Sequence, residues 1–215
     1  PEAPLAGTTG RILIYNGRAD LAGNLSLDDA DITVTRPGFS ELGSELETGD
    51  FNGDGFRDLV ASAIDFDDSG NDDGAVYWFY GTQDGLDTAV ATVRIAESTP
   101  AFAEAYGRDM TVHDVDSDGF DDVLVNARGW FQGCADGRVY ISYGSTSTAA
   151  SGVATTGADA LISGIVGNGS QIGAGLSVGD FNGDGRPDLA NAAVSGQALV
   201  WFSTQDRITS NDEAT

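Results

Sequence analysis

The chain has 215 residues, a net charge of −24 and ten basic residues, every one an arginine. That length allows one substantial core or part of a larger one. The acidity excludes nucleic acid as a partner and disfavours an anionic membrane surface, since both need a basic face. The same surplus would serve solubility in a saline habitat. With 30 glycines and abundant Val, Ile, Tyr and Phe between turn residues, the class is all-β. No run reaches the roughly 18 apolar residues of a membrane-crossing helix, so membrane insertion is not expected. The opening at Pro1 shows no charged-then-apolar leader and reads as mature or trimmed.

In chain order, the first strand-like run is Gly10-Arg11-Ile12-Leu13-Ile14-Tyr15-Asn16-Gly17. It returns at 74–81, 137–144 and 196–203, with leading glycines stepping by 64, 63 and 59 residues. Each copy is β-rich, bounded by glycine and too short for an ordinary helix. Weaker strands follow the first three copies at 31–34, 92–95 and 160–163, and others are expected at 42–48, 106–113 and 172–178. The unit is strand, acidic loop, strand, long turn, aromatic strand, turn, strand. Four antiparallel strands repeated about every 64 residues without helices predict β-propeller blades, which need neighbours to bury their faces.

The acidic loops carry the chemistry. They run from Asp50 to Leu59, from Asp114 to Val123 and from Asp180 to Leu189. Side-chain oxygens fall at the first, third, fifth and ninth positions: Asp50, Asn52, Asp54 and Asp58; Asp114, Asp116, Asp118 and Asp122; Asp180, Asn182, Asp184 and Asp188. Glycine holds the sixth position, and Phe56, Phe120 and Arg186 at the seventh are expected to offer a backbone carbonyl. Carboxylates gathered this closely repel by about 1–4 kcal/mol per pair at surface dielectrics, and a cation removes that penalty. Oxygen-only donors without His or Cys favour Ca²⁺, giving three expected sites. An EF-hand needs Glu at the twelfth position and flanking helices; here Ala61, Val125 and Asn191 stand there, beside strand-like flanks. The ninth Asp is therefore expected to close the shell. Four Asp in the second loop rank it tightest by charge. Three calcium ions would bring the net charge to about −18.

Two turns after the second strands stand out. Residues 65–74, with Asp65, Asp67 and Asp72, are compatible with a further cation site or with a solvated acidic turn. Residues 126–136, with Arg128, Trp130 and Phe131, suit sugar stacking or a protein hot spot, or alternatively plug a gap between sheets. Trp78 and Trp201 lie in β runs and are expected in the core, while His113 is expected to be packed or hydrogen-bonded rather than catalytic. Cys134 has no partner cysteine and reads as an inert loop thiol. The Gly167–Gly173 run lacks the Gly-Lys-Ser/Thr ending of a phosphate loop. No Ser-His, Cys-His or zinc arrangement is present, so an enzyme is not expected.

The Asp-x-Asn-Gly-Asp-Gly-x-x-Asp-Leu loops, the Tyr106-Gly107 and Ile172-Gly173 pairs and the Gly-Ala-Val-Tyr strand resemble FG-GAP repeats, the blades of the integrin α-subunit propeller and of many bacterial surface proteins. Leu42-Gly43 departs from the aromatic-Gly pair, and 62–64 and 191–193 lack Gly-Ala-Pro. The resemblance implies a β-propeller with calcium between the first two strands of each blade, and ligands at the turns after the second strand. The expected units are a partial blade at 1–37, blades at 38–98 and 99–164, and an incomplete blade at 165–215, about 3.5 in all. Such a set cannot close a ring, so further blades are expected from the same polypeptide or a second chain. The resulting expectation is a secreted or cell-surface adhesion module, since extracellular calcium suits such loops. It would bind a protein or glycan ligand on its loop face. A lectin proper, or a scaffold or catalytic part of a secreted polysaccharide-active enzyme, are the alternatives.

Overall fold

The computed structural model describes residues 9–17, 23–66, 74–95, 106–127, 137–147, 152–153, 158–163, 172–193, 196–203 and 207–208. Among them the structure is all-β, with a single 3₁₀ turn at Leu27–Asp29. β1 (Thr9–Ile14) and β2 (Ile32–Ser40) form an antiparallel pair. β3 (Leu42–Gly49), β4 (Asp58–Ala63), β5 (Ala75–Thr82) and β6 (Gly85–Ile95) make the next antiparallel sheet in that order. β7 (Tyr106–His113), β8 (Asp122–Ala127), β9 (Arg138–Ser142) and β11 (Ala160–Ser163) make another four-stranded antiparallel sheet. β12 (Ile172–Gly179), β13 (Asp188–Ala193) and β14 (Ala198–Trp201) form the last. These are antiparallel meanders of the kind expected for propeller blades.

One pairing departs from the expected meander. The two-residue β10 (Gly152–Val153) lies parallel to Arg94–Ile95 of β6, at the edge of the preceding sheet. It covers part of an edge whose N–H and C=O groups would otherwise face water.

The central strands are buried on both faces, and alternation assigns each residue to a neighbour. Leu59 and Ala61 pack with Ile12, Val34, Tyr77 and Phe79, whereas Val60 joins Phe51, Val76 and Trp78 against the following sheet. That sheet meets them with Met110, Val123, Val125 and Tyr140. Its opposite face carries Val115, Leu124 and Ile141, which pack against Ile172, Leu189 and Trp201. The sheets therefore stack face to face in sequence order, with Trp78 and Trp201 in the core as expected.

Each of the three sheets that carry an acidic loop opens with a bulged first strand, at Leu42/Leu46, Tyr106/Met110 and Ile172/Gly175. The second residue there is glycine with positive φ: Gly43 at 94°, Gly107 at 87° and Gly173 at 109°. At Gly107 a Cβ would also lie 2.8 Å from Ser62 Cβ and 2.9 Å from Val76 Cγ2 on the previous sheet. Backbone shape and close packing thus both require glycine at that position.

Candidate metal centre

The three acidic loops connect the first and second strands of their sheets, at β3–β4, β7–β8 and β12–β13. Each is wound around its first aspartate. Asp50 Oδ1 accepts the N–H of Gly53 at 2.7 Å and of Asp54 at 3.1 Å, and Oδ2 that of Gly55 at 2.9 Å. Asp180 accepts from Gly183, Asp184 and Gly185 in the same way, and Asp114 from Asp118 and Gly119. The fifth residue repeats the device: Asp54, Asp118 and Asp184 accept the N–H of Phe56, Phe120 and Arg186 at 2.8, 3.0 and 2.9 Å. At exposed Asp180 these donors hold the carboxyl below its usual range, the Gly185 N–H foremost.

The ninth carboxylate does more than sequence reasoning assigned to it. Asp58, Asp122 and Asp188 are all buried. Asp58 accepts the N–H of Phe51 at 2.8 Å and of Gly81, in the third strand, at 2.7 Å. Asp122 takes those of Val115 and Gly144, both at 2.8 Å, and Asp188 those of Phe181 and Ser203, both at 2.9 Å. One carboxylate thus ties the second residue of its loop to the end of the third strand. Burial pushes Asp58 above the usual carboxylate range. Burial, with Asp116 and Asp118 adding, pushes Asp122 up to about 7 against the pull of its two N–H donors.

In the second loop Asp114, Asp116 and Asp122 each bring a carboxylate oxygen within 4.8 Å of the other two. Oxygen-only donors at that spacing fit a hard divalent cation, and each carboxylate oxygen accepting one N–H keeps a lone pair for it. In the first and third loops Asn52 and Asn182 bring amide oxygens to the third position, and these accept the N–H of Asp54 and Asp184 at 3.0 and 2.8 Å. A bound cation would supply positive charge to carboxylates whose burial disfavours ionisation.

The FG-GAP repeat pattern matches this chain at residues 42–78, 106–142 and 172–200, each stretch running from a first strand through its acidic loop into the third. The chain belongs to the FG-GAP repeat family. Integrin alpha-7 of rat and of mouse is 31% identical to it over 164 residues, 75% of this chain and 13% of each relative's length. The chain thus spans about an eighth of those relatives.

Adjacent FG-GAP loops are also joined by groups that composition did not single out. Asp121 Oδ2 accepts the N–H of Asp50 and the Nη1–H of Arg57, each at 2.8 Å, so the second loop grips the first. Asp50 and Phe51 carbonyls in turn accept the N–H groups of Asp121 and Ser145. Opposite charges at the eighth position of successive loops, Arg57 and Asp121, were a legible signal for this contact. Deeper in, Asn191 Nδ2 donates to Asn126 Oδ1 at 2.8 Å, and Asn126 Nδ2 donates to Asp109 Oδ2 at 3.2 Å, joining the second and third of the loop-bearing sheets. Nothing in the spacing of these residues marked that chain.

Of the residues proposed for a ligand face, Asp65 is exposed at the end of β4. Asp67, Asp72, Arg128, Trp130 and Phe131 lie outside the described residues, as does Cys134. His113 is exposed, with Nδ1 3.1 Å from the Asp114 carbonyl.

Proposed function

We propose that the chain is part of a calcium-stabilised extracellular propeller that acts as a binding or adhesion module. The convergence of Asp114, Asp116 and Asp122 oxygens within 4.8 Å carries this reading, because it brings three carboxylates, two of them buried, to the spacing at which oxygen donors surround a hard divalent cation. By repeat equivalence each of the three loops holds one Ca²⁺. The ion is structural, bracing the end of each sheet where neighbouring loops meet. The family and the integrin alpha-7 similarity support a binding role, with a protein ligand, rather than a reaction. Among the described residues no helix is long and apolar enough to cross a membrane.

Further sheets, from the same polypeptide or a second chain, would complete the assembly. Support comes from the outer face of the last described sheet. Phe51 and Val115, at the second loop position, are 5% and 1% exposed beneath the next sheet, whereas Phe181 is 52% exposed. Ala198 and Phe202 of the same face are exposed too. The units at 1–37, 38–98, 99–164 and 165–215 are read as the blades or part-blades of that larger ring. Calcium titration of chelator-stripped protein by calorimetry tests the metal reading, with three bound ions expected. A glycan array beside a panel of purified matrix proteins, each with calcium and with chelator, tests the binding reading. No calcium uptake would overturn the first, and no calcium-dependent ligand the second.

A further inference from the structure

The second loop already holds a cation of the chain's own. Arg207, just beyond β14, places Nε 2.6 Å from Asp116 Oδ2, and its Nη2 pairs with the same oxygen. Nη2 also lies 3.6 Å from Asp118 Oδ2. The guanidinium carbon sits 4.0 Å over the Tyr143 ring, and the Tyr143 hydroxyl donates to the carbonyl of Ile208, which is itself buried in the core between the two sheets. Arg207 is therefore seated by three independent contacts. It pairs with the third and fifth positions of the one loop in which both are aspartate.

We propose that Arg207 is an internal counter-ion of the second loop, which competes with a divalent cation for Asp116 and sets that loop's affinity. The inference rests on the cation-binding reading above. Four aspartates rank this loop tightest by charge, but counting Arg207 leaves it the same net charge of −3 as the Asp/Asn sets of the other two loops. Asp116 is 4% exposed whereas Arg207 is 51% exposed, so the competition takes place at a buried acid from a side chain that can swing into solvent. A unit charge beside a divalent ion in this half-exposed setting weakens binding by about tenfold at low ionic strength, and by less at physiological salt. Coupling is reciprocal, so cation binding must loosen Arg207 from Asp116 and from the Tyr143 ring by the same factor. The metal state of one sheet thereby alters the seating of the next.

The test is calorimetric titration of calcium into the chelator-stripped chain, comparing wild type, Arg207→Gln, Arg207→Lys, Asp116→Asn and the Asp116→Asn/Arg207→Gln double variant. The expected result is that Arg207→Gln tightens one site by about tenfold at low salt while the others hold, with Arg207→Lys staying near wild type. In the Asp116→Asn background, Arg207→Gln should change little. A second readout is the Tyr143 ring signal in NMR, which should shift on calcium saturation in wild type and much less in Arg207→Gln. Calcium uptake with unchanged or weakened constants in Arg207→Gln overturns this inference alone. No uptake by wild type overturns it together with the metal reading.

Discussion

Replacing Asp122 by alanine separates the two tasks assigned to the ninth loop position. The carboxylate is fully buried and accepts two N–H groups, from Val115 and Gly144, both at 2.8 Å. Leaving each buried donor unmet costs about 1–3 kcal/mol, hence about 2–6 together. At pH 8 without calcium the substitution also removes a charge whose pKa lies at about 7, a relief of up to about 4 kcal/mol that offsets much of the donor cost and leaves a net cost of about 2 kcal/mol. Asp114→Ala is the control, because the Asp118 and Gly119 N–H groups it frees are exposed and water replaces the carboxylate. Its cost in chelator should stay below about 1 kcal/mol. Both variants should lose the stabilisation that calcium gives through the second loop, about 2.7 kcal/mol at one hundred times the dissociation constant. Urea unfolding of the three proteins, in chelator and in excess calcium, measures all of these values. If Asp122→Ala proves no worse than Asp114→Ala in chelator, the clamp is wrong. If both variants keep the full calcium increment, the second loop binds no cation.

Four other outcomes are expected. Gly53→Ala should cost about 2–4 kcal/mol, since Gly53 has φ +72° and its new Cβ would lie 2.4 Å from Phe120, whereas Gly183→Ala at the same loop position, with open space, should cost only the backbone term of about 1–2; equal melting points would refute the packing of the first loop on the second. Phe51→Ser should destabilise by about 3 kcal/mol or more and Phe181→Ser by under 1, because the first is buried and the second exposed; denaturant midpoints decide it. Burial raises Glu47, with Glu45 and Asp109 adding, and burial also raises Asp109. Their folded pKa values lie above the ordinary 4.5 and 3.8, so the stability they give is present below that range and lost as pH rises through the raised values, and Asp109→Asn should flatten the fall; a stability that rises with pH over that window contradicts the assignment. Chelation should lower the melting temperature by several degrees, and an unchanged scan would mean the loops contribute no cation-linked stability.

Strand positions were legible because a β-rich, glycine-bounded run recurs in every unit and a short apolar run follows each acidic loop, so β4, β7 and β13 fall where the pattern places them. The loops were legible because oxygen-bearing side chains and a glycine recur at the same spacing within ten residues in all three. What escaped depends on neighbours distant in sequence. The Asp116–Arg207 pair spans 91 residues and the Asn191–Asn126 bond 65, and neither leaves a local signature. β10 escaped for a related reason, since a two-residue parallel pairing carries no periodicity at all.

The clamp also explains why aspartate rather than asparagine stands at the ninth position of all three loops, although asparagine serves at the third position of two. Two N–H donors approach the ninth side chain from different segments and take different oxygens, as Phe51 and Gly81 do at Asp58. An amide has only one oxygen and would set its own NH₂ against the second donor. At the third position a single N–H is accepted, and the amide oxygen of Asn52 or Asn182 meets it as well as a carboxylate does. The ninth residue is therefore dictated by backbone donors before any ion arrives, and the first residue likewise winds the loop by itself. A cation bound there would meet loops already shaped to receive it, so little of its binding energy would go into ordering the chain and the rest would appear as stability of the sheets.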